Sequence, residues 1–194
     1  EPAWTSSQQI ALALSRLARV LVVDPPRGPR DWFGPRRQGE TERLSGTLSL
    51  LRPACPVPFS ARSPAAASLA RPFLARRIRS ALSNLGFGDY QTWVISPRHF
   101  RLARSVRSKT LVYKCDGEVS TFPWLGSRKG AVMRAEGELI RSATAVFCTS
   151  PSIAARKAAL NPNTLLVRLG VDVALFERTL LSGLPPPADL AAVP

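Results

Sequence analysis

Histidine is almost missing from this sequence: His99 is the only one in 194 residues. A lone imidazole excludes a His-based metal cluster, which needs several ring nitrogens converging on one ion. Cysteine is scarce too, and Cys55, Cys115 and Cys148 are odd in number, widely spaced and free of any CxxC. That excludes a disulfide framework and a zinc knuckle, and it fits a reducing compartment. Cys115 and Cys148 sit within apolar runs, where a free thiol serves as a small core residue. No apolar run reaches the roughly 18–20 residues of a membrane span. No basic-then-apolar leader opens the chain either. It starts at Glu1 instead of Met, so further residues are expected upstream. GxGxxG, GxxxxGK[ST], GxSxG and HExxH are all missing, which argues against standard dinucleotide, P-loop, hydrolase-elbow and zincin chemistry.

Acidic residues are few, 13 against 27 basic ones, for a net charge of +14. Lysine is scarce within that excess: 4 Lys accompany 23 Arg. The imbalance is local. Residues 27–109 hold 16 Lys and Arg against 4 Asp and Glu, while the segments on either side are nearly balanced. Such a concentration attracts phosphate, on nucleic acid, on anionic lipid or on a phosphorylated substrate. Arg98, Arg101, Arg104 and Arg107 recur every three residues and share roughly one helical face. That face reads equally as a solvated surface or as an anionic-surface contact, and an Arg-, Ala- and Pro-rich source composition would also enrich it.

With 45% apolar residues the chain can bury a core. The pattern predicts a helix from Ser6-Ser7 to about Ala18, then a short Val-rich strand, Val20–Val23, running into Asp24-Pro25-Pro26. Residues 27–42 read as a loop and 44–52 as a strand. Ser63-Pro64 opens a helix to about Asn84, with a kink or split expected at Pro72. Strands follow at 92–95, 110–113, 145–148 and 165–169, with helices at 98–107, 126–142 and 152–160. Alternation at this spacing gives an α/β class, a Rossmann-like parallel sheet with helices on both faces. The segment after Leu181, with Pro185-Pro186-Pro187, reads as a linker.

Ligands in such sheets bind beyond the carboxyl ends of the strands. Four loops stand there: Asp24-Pro-Pro, Ser96 to His99, Lys114 to Glu118, and Gly170-Val-Asp172. Ser96, His99, Asp116 and Glu118 are therefore the candidate ligand-binding residues, and His99, Asp116 and Glu118 the candidate catalytic ones. A carboxylate pair just past a strand can hold a sugar hydroxyl or act as a base, or simply cap a turn.

Asp24-Pro-Pro, the stretch 111–122 (Leu-Val-Tyr-Lys-Cys-Asp-Gly-Glu-Val-Ser-Thr-Phe) and above all 145–152 (Ala-Val-Phe-Cys-Thr-Ser-Pro-Ser) resemble bacterial two-domain GT-B glycosyltransferases. Ala158 to Asn163 and Gly170-Val-Asp-Val-Ala-Leu-Phe176 continue the likeness in order. The family is the family 4 type, including teichuronic-acid-type enzymes of cell-surface polysaccharide synthesis, and the likeness covers about residues 8–178. It implies the amino-terminal half of a GT-B fold: an acceptor-binding domain at 1–178 and a Pro-rich linker at 179–194 toward a carboxy-terminal donor-binding domain. It further implies a retaining transferase moving a sugar from a nucleotide-sugar to a cell-envelope or polysaccharide acceptor, lipid-linked or free. No cofactor or metal is expected in this chain, and the nucleotide-sugar belongs to the complete enzyme, so this half alone should be inactive. Gly170 and Asp172 would face the interdomain cleft. The implied location is cytoplasmic, peripheral on the inner face of the membrane, with nucleic acid an unlikely partner. Two positions depart from the family. Lys114 stands where relatives carry Asp after the Tyr, and Ser6-Ser7 replaces Arg-Pro before Gln8-Gln9. A basic nucleic-acid binder or a catalytically degenerate, transferase-like interaction domain is the alternative.

Overall fold

A computed structural model describes residues 6–24, 40–55, 57, 63–168, 170, 173, 174 and 177. Helix α1 (Ser6–Ser15) leads into strand β1 (Val20–Val23). The run Val-Leu-Val-Val is short, apolar and β-branched, as a strand inside an α/β layer requires. β1 pairs in parallel with β3 (Leu48–Leu51), Val20 opposite Leu48 through Val23 opposite Leu51. Between them the chain forms β2 (Thr41–Arg43), antiparallel to β3. Two expectations are corrected here. Residues 41–43 are strand and not loop, and the strand expected over 44–52 starts only at Leu48, after a turn in which Ser45 Oγ accepts from the backbone N–H groups of Thr47 and Leu48. Polar, exposed β2 carries no hydrophobic signal; it is held by pairing with its neighbour.

Helix α2 (Pro64–Asn84) starts where its cap predicts: the Ser63 side chain accepts from Ala66 N–H, and Pro64 takes the first turn. The split expected as one outcome at Pro72 does not occur, and the helix runs on through it. Pro72 lies on the exposed side, where water can satisfy the carbonyl that loses its donor. The helix stops at Leu85-Gly86, with Gly86 at φ +69°, a conformation that suits glycine. The other face of α2 buries Ala70, Leu74, Ala75, Ile78, Ala81 and Leu82.

The second sheet is all parallel, in the order β4 (Gln91–Val94), β5 (Thr110–Cys115), β6 (Ala145–Cys148), β7 (Thr164–Leu166). Its connections are helical. A 3-10 turn at Pro97–His99 runs into α3 (Phe100–Val106), so the helix expected over 98–107 is shorter and composite. α4 (Lys129–Ser142) begins three residues later than expected, because Gly126 adopts φ +50° and interrupts the helical path. α5 (Pro151–Ala158) is capped by Ser150, whose side chain accepts from Ile153 N–H. The expectation of one sheet is refined: among the described residues, β1 and β4 are end strands of separate hydrogen-bonded sets.

The core lies under this second sheet, where Phe100, Tyr113, Leu139, Ile140, Val146 and Cys148 form one cluster. A second cluster joins Leu51 of β3 to Ile78 and Leu82 of α2 and Val106 of α3. Buried Asn161 ties the sheet to α4. Its Nδ2 donates to the carbonyls of Ile140 and Ala143, both at 2.7 Å, and its Oδ1 accepts from Asn163 N–H. These carbonyls belong to the end of α4, which a helix cannot satisfy internally. The Asn161-Pro-Asn163 turn thus positions the entry to β7.

Candidate functional site

β4, β5 and β6 run in parallel and in close register, so their carboxyl ends form one rim. The segments leaving that rim carry most of the polar residues singled out by sequence. Ser96 and the turn to His99 follow β4; Lys114, Asp116 and Glu118 end and follow β5; Thr149, Ser150 and Ser152 follow β6.

The centre of the rim is a chain of buried charges. Tyr113 Oη donates to Glu136 Oε1 of α4 at 2.9 Å. The other oxygen of Glu136 faces Lys157 Nζ of α5 at 3.2 Å. Lys157 turns also to Glu118 Oε1 at 3.0 Å, and Arg156 Nη2 holds Glu118 Oε2 at 3.1 Å. Both oxygens of each glutamate therefore have donors, the condition under which buried charge is tolerated. The side chain of Lys157 is 8% exposed and that of Glu136 6%. Burial alone would raise the Glu118 pKa, but the Lys157 ammonium and the Arg156 guanidinium outweigh it and hold the carboxyl below its ordinary value. Burial would likewise lower Lys157; Glu118 and Glu136 overcome it and push the ammonium above its ordinary range. The loop after β5 is thus clamped to α4 and α5 through four charged side chains, Glu118, Lys157, Arg156 and Glu136.

Lys114 is buried in β5 and closes onto both carboxylate oxygens of Asp116. Asp116 itself is exposed at the rim, and its backbone carbonyl accepts from Thr149 Oγ1 at 3.4 Å, linking the β5 and β6 loops. Ser150 Oγ and Ser152 Oγ lie 2.9 Å apart at the start of α5. The structure brings Asp116, Glu118, Thr149 and Ser150 into one rim segment. Ser96 caps the neighbouring turn, its carbonyl accepting from His99 N–H at 3.0 Å, and His99 is exposed there. Gly170 is exposed beyond β7, whereas Asp172 lies outside the described residues. Arg98, Arg101, Arg104 and Arg107 are all exposed, on the turn, on α3 and on its left-handed cap at φ +64°.

Cys115 and Cys148 face each other in register and are both buried. Burial raises the Cys115 thiol above its ordinary value and carries Cys148 up to about 12, where the neighbouring Cys115 adds to the cost of ionising. Both stay protonated near neutral pH, so neither is the activated nucleophile that covalent catalysis needs. Among the described residues no group of three or more His, Cys, Asp and Glu could hold a metal ion.

Three residues of this network, Glu136, Lys157 and Lys114, were not singled out as partners by sequence reading. The signal for the first existed: Val132, Glu136, Leu139 and Ile140 have core-face spacing, so the acid on that face had to be paired. Lys157 likewise lies one turn from buried Ile153.

No family model and no curated protein sequence matches this chain. Among solved structures, a sucrose-phosphate synthase from Thermosynechococcus elongatus is similar over 89% of this chain and 90% of that chain, with a TM-score of 0.54 and 15% identity. That similarity is one of fold. The shared fold is α/β, a four-stranded parallel sheet flanked by helices, as in a Rossmann-like half of the GT-B fold.

Proposed function

We propose that this chain is the acceptor-binding domain of a sugar transferase of the GT-B kind, family 4 type, with retention at the transferred sugar. The observation that carries the reading is the clamped rim: exposed Asp116 and the hydroxyls of Thr149, Ser150 and Ser152 meet at adjoining parallel strand ends, where open α/β sheets bind ligands. The GT-B-like fold and the sequence blocks at 111–122 and 145–152 support it.

On this reading the chain's own residues bind and orient. Asp116, already hydrogen-bonded to Lys114, accepts from an acceptor hydroxyl, and the rim hydroxyls hold neighbouring ones. Ser96 and His99 bound the same rim on the β4 side. The acceptor is a cell-envelope or polysaccharide sugar, lipid-linked or free. Fixing the acceptor oxygen is a contribution of orientation, and it rests on a rigid rim. The diphosphate of the nucleotide-sugar falls to a second domain, since no two glutamates of this chain stand eight positions apart, the spacing of the family's donor-binding pair.

This division of labour has a kinetic test. Incubated with uridine- or guanosine-diphosphate sugars and mixed acceptor saccharides, the chain by itself is expected to release no nucleoside diphosphate above the blank. Measurable turnover by the chain alone overturns the assignment of the two roles to two domains.

A further inference from the structure

At the amino ends of β1 and β3 the chain leaves a hollow of about 280 Å³, open to solvent on one side. Arg19, Arg43, Thr47 and Ser49 line it, with Leu85 and Phe87 as its apolar wall. None of these residues belongs to the rim at the carboxyl ends of β4, β5 and β6.

Sheet register brings the polar groups together. Arg43 of β2 stands directly opposite Ser49 of β3 in the antiparallel pair, which puts both side chains on one face, about 5 Å apart. That face also carries Leu51, two residues on, which packs against Ile78 and Leu82 of α2. Thr47 ends the turn that joins the two strands. Ser49 is only 7% exposed, and among the described residues its hydroxyl has no hydrogen-bond partner. A buried hydroxyl left in that state carries a desolvation cost that a bound acceptor would recover.

The two arginines are placed for the same ligand. Arg19 Nη1 donates to the Leu85 carbonyl and Nη2 to the Gly86 carbonyl, both at 2.7 Å, and the guanidinium lies 5.1 Å from the centroid of the Phe87 ring. These carbonyls end α2, where their free lone pairs would repel an anion. The guanidinium covers them and keeps further N–H groups for a ligand. Arg43 has no carboxylate partner among the described residues. Its neighbour Glu42 lies on the other face of the strand, paired with Arg52 at 2.9 Å. The hollow thus offers donors and positive charge and no carboxylate.

We propose that this hollow binds a tetrahedral oxyanion, either inorganic phosphate or the phosphate group of a small ester. The two guanidinium groups make charge-assisted hydrogen bonds to it, and the hydroxyls of Thr47 and Ser49 donate to its remaining oxygens. A planar carboxylate has two oxygens for these four donor groups; a phosphate has enough for all of them. Leu85 and Phe87 flank the place where the organic part of an ester rests. The hollow shares no residue with the rim, so its behaviour is read from the anion alone and does not depend on the transferase reading.

The test is an amide chemical-shift titration of the labelled chain with inorganic phosphate and with phenyl phosphate, against sodium chloride at equal ionic strength. Both phosphates are expected to move the amides of Val20, Gly46, Thr47 and Ser49 along saturable curves, and chloride to leave them nearly still. Tighter binding of phenyl phosphate identifies an ester as the preferred ligand, and equal or weaker binding identifies the free anion. Arg43→Gln is expected to weaken both at least about tenfold. Ser49→Ala is expected to weaken them about fivefold with a melting temperature no lower than wild type, because the hydroxyl it removes has no partner in the free protein. Arg134→Gln, which removes the same charge from an exposed position of α4, is expected to change binding less than about twofold. The proposal is overturned if chloride reproduces the shifts, or if Ser49→Ala binds both phosphates as wild type does. An Arg134→Gln variant as weak as Arg43→Gln overturns it too, by reducing the effect to net charge.

Discussion

Replacing Lys157 with alanine is expected to lower the melting temperature by roughly 10 °C. Among the described residues the ammonium is the only cation shared by Glu118 and Glu136, at 3.0 and 3.2 Å. Without it buried Glu136 keeps only neutral donors among the described residues, Tyr113 Oη at 2.9 Å and the Cys115 thiol at 3.9 Å, which leaves an uncompensated charge of the kind that costs about 3–5 kcal/mol. A chain of 150–250 residues loses about 2–4 °C per kcal/mol. The pH dependence gives a second reading of the same variant. Glu118 has a folded pKa below its ordinary 4.5, so its contribution is full above that value and is lost as pH falls through the folded one. Lys157 has a folded pKa above its ordinary 10.5, so its contribution is full below that value and is lost only as pH rises through the folded one. Near neutral pH both contribute. The gap between wild type and Lys157→Ala is therefore expected to be widest around neutrality and to shrink as the solution is acidified below about pH 4. A gap that stays constant down to pH 3 would show that the loss is one of packing and not of charge.

Phe100→Ala carries the second large effect, a loss of about 3–5 kcal/mol. Phe100 is 0% exposed at the start of α3 and packs in the cluster with Tyr113, Leu139 and Val146. Its loss also removes the ring beneath the Arg104 guanidinium, 5.8 Å from the centroid. The informative comparison is Phe73→Ala on α2: same side chain, also helical, but 53% exposed. Thermal denaturation should show a fall of about 10 °C for Phe100→Ala and a midpoint within about 2 °C of wild type for Phe73→Ala. Equal destabilisation by both would contradict the burial of the one ring and the exposure of the other.

These two phenylalanines show what the sequence could and could not tell. One helix start was legible from chemistry: Ser63-Pro64 caps α2 with a side-chain oxygen where expected, whereas α5, expected from 152, starts at Pro151 behind the Ser150 cap. The Ala-Val-Phe-Cys run gave β6 at its observed limits and the Val-rich run gave β1 to within one residue, because a strand inside an α/β sheet has little choice but continuous apolar residues. β2 was missed since Thr41-Glu42-Arg43 has no apolar pattern; its pairing with β3 decides it. The start of α4 was misplaced since only the backbone reveals the positive φ of Gly126. At the site, Asp116 and Glu118 were legible as carboxylates past a strand end. The clamp on Glu118 was not, because Glu136, Arg156 and Lys157 come from helices 18 to 39 positions away, and only the fold brings them to one point.

The same clamp explains how Lys114 fits a rim otherwise built from acids and hydroxyls. Buried in β5, it satisfies Asp116 locally and leaves Glu118 to Lys157 and Arg156. Each acid of the β5 loop thus has its own cation, and the loop presents a fixed outline to whatever binds there.

The most direct test of the central claim is an amide chemical-shift titration of the isotopically labelled chain. Acceptor-type saccharides are titrated in one series and nucleoside-diphosphate sugars in the other. The expected result is movement of the amides of Ser96, Arg98, His99, residues 116–118, Thr149, Ser150 and Ser152 with a saccharide, and none at those positions with nucleoside-diphosphate sugars. Movement of the same amides by nucleotide-sugars, with no response to any saccharide, would contradict the claim that this rim receives the acceptor.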